Sequence, residues 1–146
     1  MTDKKKDKKK RRYKVRTFPV PFYSLEIKEN ITFNTNIISK PSKEEIINQA
    51  LKFHSHGNIL EADKYYRYCI NQGFNDYRVF SNYGTLLKNN GNLKDAEISQ
   101  RKAIQIKPNF AEAHNNLGNI LRDLGKLKDA ELSTRKAIQI KPDLAE

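Results

Sequence analysis

From residue 43 to residue 144, apolar residues recur at the three- and four-residue spacing of amphipathic helices, in paired stripes separated by a glycine. In 111–144 the first stripe is Ala113, Leu117, Ile120, Leu121 and Leu124, leading into Gly125. The second is Leu127, Ala130, Ala137, Ile138 and Ile140, stopped by Pro142, which cannot continue a helix. The same punctuation returns every 34 residues, with Gly57, Gly91 and Gly125 in one series and Ala62, Ala96 and Ala130 in another. Gly84 and Gly118, preceded by Ala50, and the pair Pro108 and Pro142 keep the interval. Aligned without gaps, 77–110 and 111–144 share 18 of 34 residues. A fixed period of this length marks an array of helix–turn–helix units. Small residues at Gly118 and Ala130 are expected where two helices cross closely, and Gly125 suits a turn of positive φ. One hairpin cannot bury its own stripe, so neighbouring units must supply the core by stacking.

The unit 43–76 is more divergent but in register. Ser42 and Glu45 have capping-box spacing ahead of Ile46 and Ile47, and helices are predicted at about 43–56 and 59–72. Its closing proline is missing, with Asn71-Gln72-Gly73-Phe74 there instead. Ahead of it, 17–42 contains Phe18-Pro19-Val20-Pro21-Phe22-Tyr23 and Leu25, Ile27, Ile31, Phe33, Ile37 and Ile38, too apolar for a linker. This stretch is expected to be an extended N-terminal cap folded onto the first helix pair, partly as strand. At the other end, Asp143-Leu144-Ala145-Glu146 echoes Asn109-Phe110-Ala111-Glu112, so 145–146 is read as the start of a truncated further unit. Without a polar capping helix, the apolar edge Leu132, Ile138 and Ile140 is expected to be partly exposed and to invite self-association.

These spacings resemble the tetratricopeptide repeat (TPR), a 34-residue unit with small residues at positions 8 and 27, Ala at 20 and Pro at 32. Gly84, Ala96, Ala103 and Pro108 take those places in one unit, and Gly118, Ala130, Ala137 and Pro142 in the next. The first unit has Ala50 and Ala62, then departs from the pattern at Cys69 and Phe74. The resemblance implies an all-α, right-handed TPR solenoid of three units, 43–76, 77–110 and 111–144, behind a disordered or extended N-terminal segment. It also implies a non-enzymatic scaffold that binds a protein or peptide in a concave groove lined by the first helix of each unit. The sixth position of those helices is Asn48, Asn82 and Asn116. A carboxamide offers one acceptor and two donors, matching a peptide group, so the three would form a ladder that grips an extended backbone. The ladder is similar to that of O-linked N-acetylglucosamine transferase-like bacterial proteins, most closely at Ala113-His114-Asn115-Asn116-Leu117-Gly118-Asn119. Ser81, Thr85, Asn115 and Asn119 would flank it, with Lys88 and Arg122 on the rim. Those two cations could instead belong to a carboxylate clamp, although His54 holds the matching first-unit position and Asp123 opposes them.

Charge alters this picture only at the N-terminus. The chain of 146 residues carries 28 Lys+Arg against 17 Asp+Glu, net +11. Residues 1–16 hold ten cations and two aspartates, so the rest is nearly neutral. Lys, Asn and Ile number 20, 15 and 14, a composition that A/T-rich coding alone produces. Residues 4–16 can therefore be read as a solubilising tail or as a weak contact for nucleic acid or anionic lipid. No run approaches the roughly 20 apolar residues of a membrane span. The lone Cys69 points to a reducing, cytoplasmic setting. His54 and His56 are two apart and diverge on a helix, so no metal is expected. No phosphate loop or nucleophile–base set appears, so neither a cofactor nor a catalytic residue is expected. Three functions remain: a free-standing adaptor, the substrate-recruiting arm of a larger glycosyltransferase- or sulfotransferase-like enzyme, or a tail-driven binder of polyanions.

Overall fold

The computed structural model describes residues 41–145. The tail, the N-terminal cap segment up to residue 40 and the final residue lie outside these. Among the described residues six helices run in antiparallel pairs: α1 Lys43–Ser55, α2 Ile59–Asn71, α3 Tyr77–Asn89, α4 Leu93–Ile106, α5 Ala111–Asp123 and α6 Leu127–Ile140, followed by a 3₁₀ turn Pro142–Ala145. The first pair ends one residue earlier at each C-terminus than its apolar pattern predicts.

Local chemistry explains the boundaries. Glu45 N–H donates to Ser42 Oγ at 3.2 Å and Ser42 N–H to Glu45 Oε2 at 2.7 Å, so the predicted capping box is complete. Asn58 and Asp76 cap α2 and α3 through their side chains. All three intra-pair turns use one device. Gly57, Gly91 and Gly125 adopt φ of +73°, +80° and +75°, and the next residue's N–H reaches back to Phe53, Leu87 or Leu121 at 2.9, 2.9 and 2.8 Å. These bonds satisfy carbonyls that a helix end would leave bare. Where the first unit lacks its proline, Gly73 at φ +70° ends α2 instead, and Phe74 turns back onto the Tyr68 ring.

Each hairpin packs on the next, with α2 against α3 and α4 against α5, and the first helices touch in series, α1 to α3 to α5. The core is largest in the first two units, where Ile46, Ile47, Tyr65, Tyr66, Val79, Leu86 and Leu87 are buried together. Each fully buried Ile or Leu contributes about 1.5–3 kcal/mol relative to exposure. Ala50, Ala62, Ala96, Ala103 and Cys69 are all 0% exposed, the small positions that let helix axes approach. The tightest crossing is at Gly118, where a Cβ would stand 2.4 Å from Thr134 Oγ1 and 3.3 Å from the Ala130 carbonyl.

The apolar edge expected on α6 divides into two cases. Ile138 is exposed whereas its repeat-mate Ile104 packs against α5, so Ile138 is bare because no described helix follows it. Leu132 is 67% exposed, and so is Ile98 one period earlier. Its exposure therefore belongs to the outer surface of every such helix rather than to the end of the array. Ile140 is half-buried.

Candidate functional site

Asn82 and Asn116 lie half-buried on α3 and α5, and Asn48 is exposed on α1. Asn82 Nδ2 donates to the Arg78 carbonyl at 2.9 Å, one turn back along its own helix. Asn116 Nδ2 reaches Thr85 Oγ1 on the preceding unit at 3.4 Å, and Thr85 in turn donates to the Ser81 carbonyl at 3.2 Å. Asn116 is thus tied to α3 through the flanking Thr85 and not through Asn82. Among the described residues no donor reaches Oδ1 of Asn82 or Asn116. Asn115 and Asn119 are half-buried beside them.

Ser81 departs from its expected place. It is 1% exposed, and its carbonyl accepts both Thr85 Oγ1 and Gln100 Nε2, the latter at 2.8 Å from α4. On α3 this position is closed over by the companion helix, so Ser81 is a core residue there, whereas its repeat-mate Asn115 on α5 is half-buried. The two rim cations also differ from each other. Lys88 Nζ lies 3.7 Å from Asp123 Oδ2, whereas Arg122 is exposed. His54, which replaces the cation in the first unit, turns its Nδ1 to the Tyr66 hydroxyl at 3.0 Å, and burial lowers its pKa. A clamp of successive cations is not assembled by these side chains.

One pair on the same face escaped the sequence reading. Arg78, one helical turn before Asn82, donates to both oxygens of Glu44, one turn before Asn48, at 2.9 Å each. It also holds Asp76 at 2.8 Å. The Arg78 hydrogen bonds hold the Glu44 carboxyl below its ordinary range. Burial opposes ionisation of Asp76, but the bonds from Arg78 prevail and its pKa is lowered too. The available signal was opposite charge at one 34-residue interval.

The remaining chemistry-bearing side chains are tied into the fold. Cys69 is fully buried and burial pushes its thiol up to about 12. His114 is half-buried, with Nε2 bonded to the Pro108 carbonyl at 2.9 Å. Among the described residues there is no group of three or more potential metal ligands, and no helix is long and apolar enough to cross a membrane.

Paired helices of fixed period, stacked with their first helices in one row, define an all-α repeat solenoid of the class that generally mediates protein–protein contact. Models of the tetratricopeptide repeat match residues 77–110 and 111–144, so the second and third units are tetratricopeptide repeats. Among solved structures, MamA is similar with a TM-score of 0.65 and 18% identity over 69% of this chain and 59% of its own. A mutant O-GlcNAc transferase of Thermobaculum terrenum is similar with a TM-score of 0.65 and 23% identity, over 69% of this chain and 19% of its own. This chain thus spans about three-fifths of the one and a fifth of the other. No protein of curated function matches it.

Proposed function

We propose that this protein is a non-enzymatic scaffold that holds an extended peptide segment of a partner along Asn48, Asn82 and Asn116, flanked by Thr85, Asn115 and Asn119. The observation that carries this reading is the Asn116–Thr85 bond, which links the first helices of adjacent units, while among the described residues no donor meets the Asn82 and Asn116 carboxamide oxygens. Each oxygen can accept a peptide N–H, and the spare amide hydrogens can donate to a peptide carbonyl. Such contacts read the backbone and tolerate varied side chains. Among the described residues Arg122 has no ion-pair partner and supplies the rim charge, and Lys88 serves there only when it leaves Asp123. The lone buried Cys69 agrees with a reducing compartment, the bacterial cytoplasm in our reading.

The experiment is fluorescence anisotropy with labelled extended peptides, comparing the native chain with Asn82→Ala/Asn116→Ala. The double variant should lose roughly tenfold or more in affinity, since each hydrogen bond contributes about 1 kcal/mol, while its helical circular dichroism is retained. Unchanged affinity would sink the reading.

A second reading draws on the transferase likeness: the array is the recruiting arm of a larger transferase. Immunoblotting and intact mass of the endogenous protein test it. A species near 17.0 kDa would sink the arm, and a much larger one would support it.

A further inference from the structure

The outer side of the array holds an open groove of about 440 Å³ between α4 and α6, floored by α5. Its lining includes Ile104, Leu117 and Leu132 as apolar surface, His114 at one end, and Arg101 and Lys136 as cations, with no carboxylate. At about 100° per residue, His114 stands roughly 160° and Leu117 roughly 100° around α5 from Asn116, so this groove and the asparagine ladder lie on different faces of that helix.

The 34-residue period supplies an internal comparison. One unit earlier the same positions carry Arg67, Ile70, Phe80, Tyr83, Ile98 and Lys102. Four of the six keep their chemistry, and two change: Phe80 gives way to His114 and Tyr83 to Leu117. At that earlier junction the Tyr83 ring is 9% exposed, with the Arg67 guanidinium 5.8 Å from its centre. The later junction retains the cation and the aliphatic walls but lacks the ring. Arg101 there pairs only with Glu97 on its own helix at 2.9 Å, and Lys136 donates to Gln139 Oε1 at 3.2 Å. Leu132 at the rim is 67% exposed, as Ile98 is at the earlier junction, so the difference between the two lies at Leu117 and His114.

We propose that this outer groove docks a segment of a partner protein bearing an aromatic residue flanked by Asp or Glu. The aromatic ring takes the place that Tyr83 fills one unit earlier, under the face of Arg101, where a guanidinium and a ring attract each other. The flanking carboxylates meet Lys136 and the edge of Arg101, and the all-cationic lining rejects a basic segment. This is a second binding surface, independent of the ladder and of whatever the ladder holds.

The test uses the whole chain and a fluorescein-labelled peptide of sequence GEDFEDLG, measured by anisotropy beside a basic counterpart, GKRFKRLG. The key variant is His114→Phe/Leu117→Tyr, which copies the junction that this chain already packs. It should melt no lower than the native protein, so a loss of binding cannot come from unfolding. The acidic peptide should bind the native chain and weaken about tenfold or more in this filled variant and in Lys136→Glu. Each comparison is made in the Asn82→Ala/Asn116→Ala background, which removes the ladder's sequence-tolerant backbone contacts; the acidic peptide should still bind there, which separates this site from the ladder. In that background the proposal is overturned by absence of binding, by equal binding of the basic peptide, or by undiminished binding when His114→Phe/Leu117→Tyr is added. It is likewise overturned if the peptide-free native chain sediments as a dimer that the filled variant abolishes, since the groove would then join two copies.

Discussion

Arg78 and Glu44, 34 residues apart, meet in a two-pronged ion pair with both N–O distances at 2.9 Å. The pair ties α1 to α3 on the face that carries the asparagine ladder, and Asp76 accepts from Nε and from the shared Nη2 along the adjacent edge of the guanidinium. Because Glu44 remains 59% exposed, most of the stabilisation comes from the less exposed Arg78–Asp76 side of the network.

Arg78→Ala should destabilise the array by about 1–2 kcal/mol, and Glu44→Gln by clearly less. Urea unfolding of both single variants and the double variant gives the coupling. Equal losses for the two single changes would contradict the assignment of the larger share to Asp76.

The same network sets the sign of the acid response. Glu44 and Asp76 titrate in the folded chain below their ordinary values of 4.5 and 3.8. Their contribution is therefore complete above those ordinary values and is lost as pH falls through the lowered ones. Glu97, held down first by Lys126 and then by Arg101, acts in the same direction. Thermal melting should show stability falling below about pH 4.5 with a shallower slope in Arg78→Ala; identical slopes would contradict this origin.

Much of the fold was legible because it depends on spacing. The 34-residue period, the Ser42–Glu45 box and the turn glycines each follow from residue type at a fixed interval, and the helix ends fall within one residue of expectation. The features that were not legible depend on how helices rotate against each other. Ser81 differs from exposed groove residues only by a rotation about α3, and its burial follows from Gln100 reaching over Gly84. Arg78–Glu44 required knowing that their helices stand side by side. The outer groove required knowing that Tyr83 lies under Arg67, so that Leu117 leaves space. The cap expected at 17–42 falls almost wholly outside the described residues.

Gly118 and Gly125 should fail for different reasons when changed to alanine. Gly118→Ala drives a methyl into Thr134 and costs about 1–3 kcal/mol, part of which Thr134→Ala should restore. Gly125→Ala meets no atom but is strained at φ +75°, costing about 1–2 kcal/mol with no second-site relief from packing. Chemical denaturation of the two singles and the Gly118→Ala/Thr134→Ala pair distinguishes clash from backbone strain.

Gln100 is fully buried with Oε1 unpartnered while Nε2 bonds the Ser81 carbonyl. Gln100→Met removes one hydrogen bond and one stranded acceptor together, and Ser81 keeps its bond from Thr85. The net change should lie within about 1 kcal/mol of zero. A loss well beyond that, read by thermal melting, would mean that an ordered water completes the Gln100 acceptor.

The claim that the asparagines are the gripping surface is tested most directly by NMR of their side chains. Carboxamide ¹⁵N–¹H₂ signals of Asn48, Asn82 and Asn116 can be assigned by single substitution and followed during titration with an extended peptide. The account predicts that all three shift together and saturate with one affinity while the Gln100 signal, buried beneath them, moves little. Saturable binding with these three signals unmoved would contradict it.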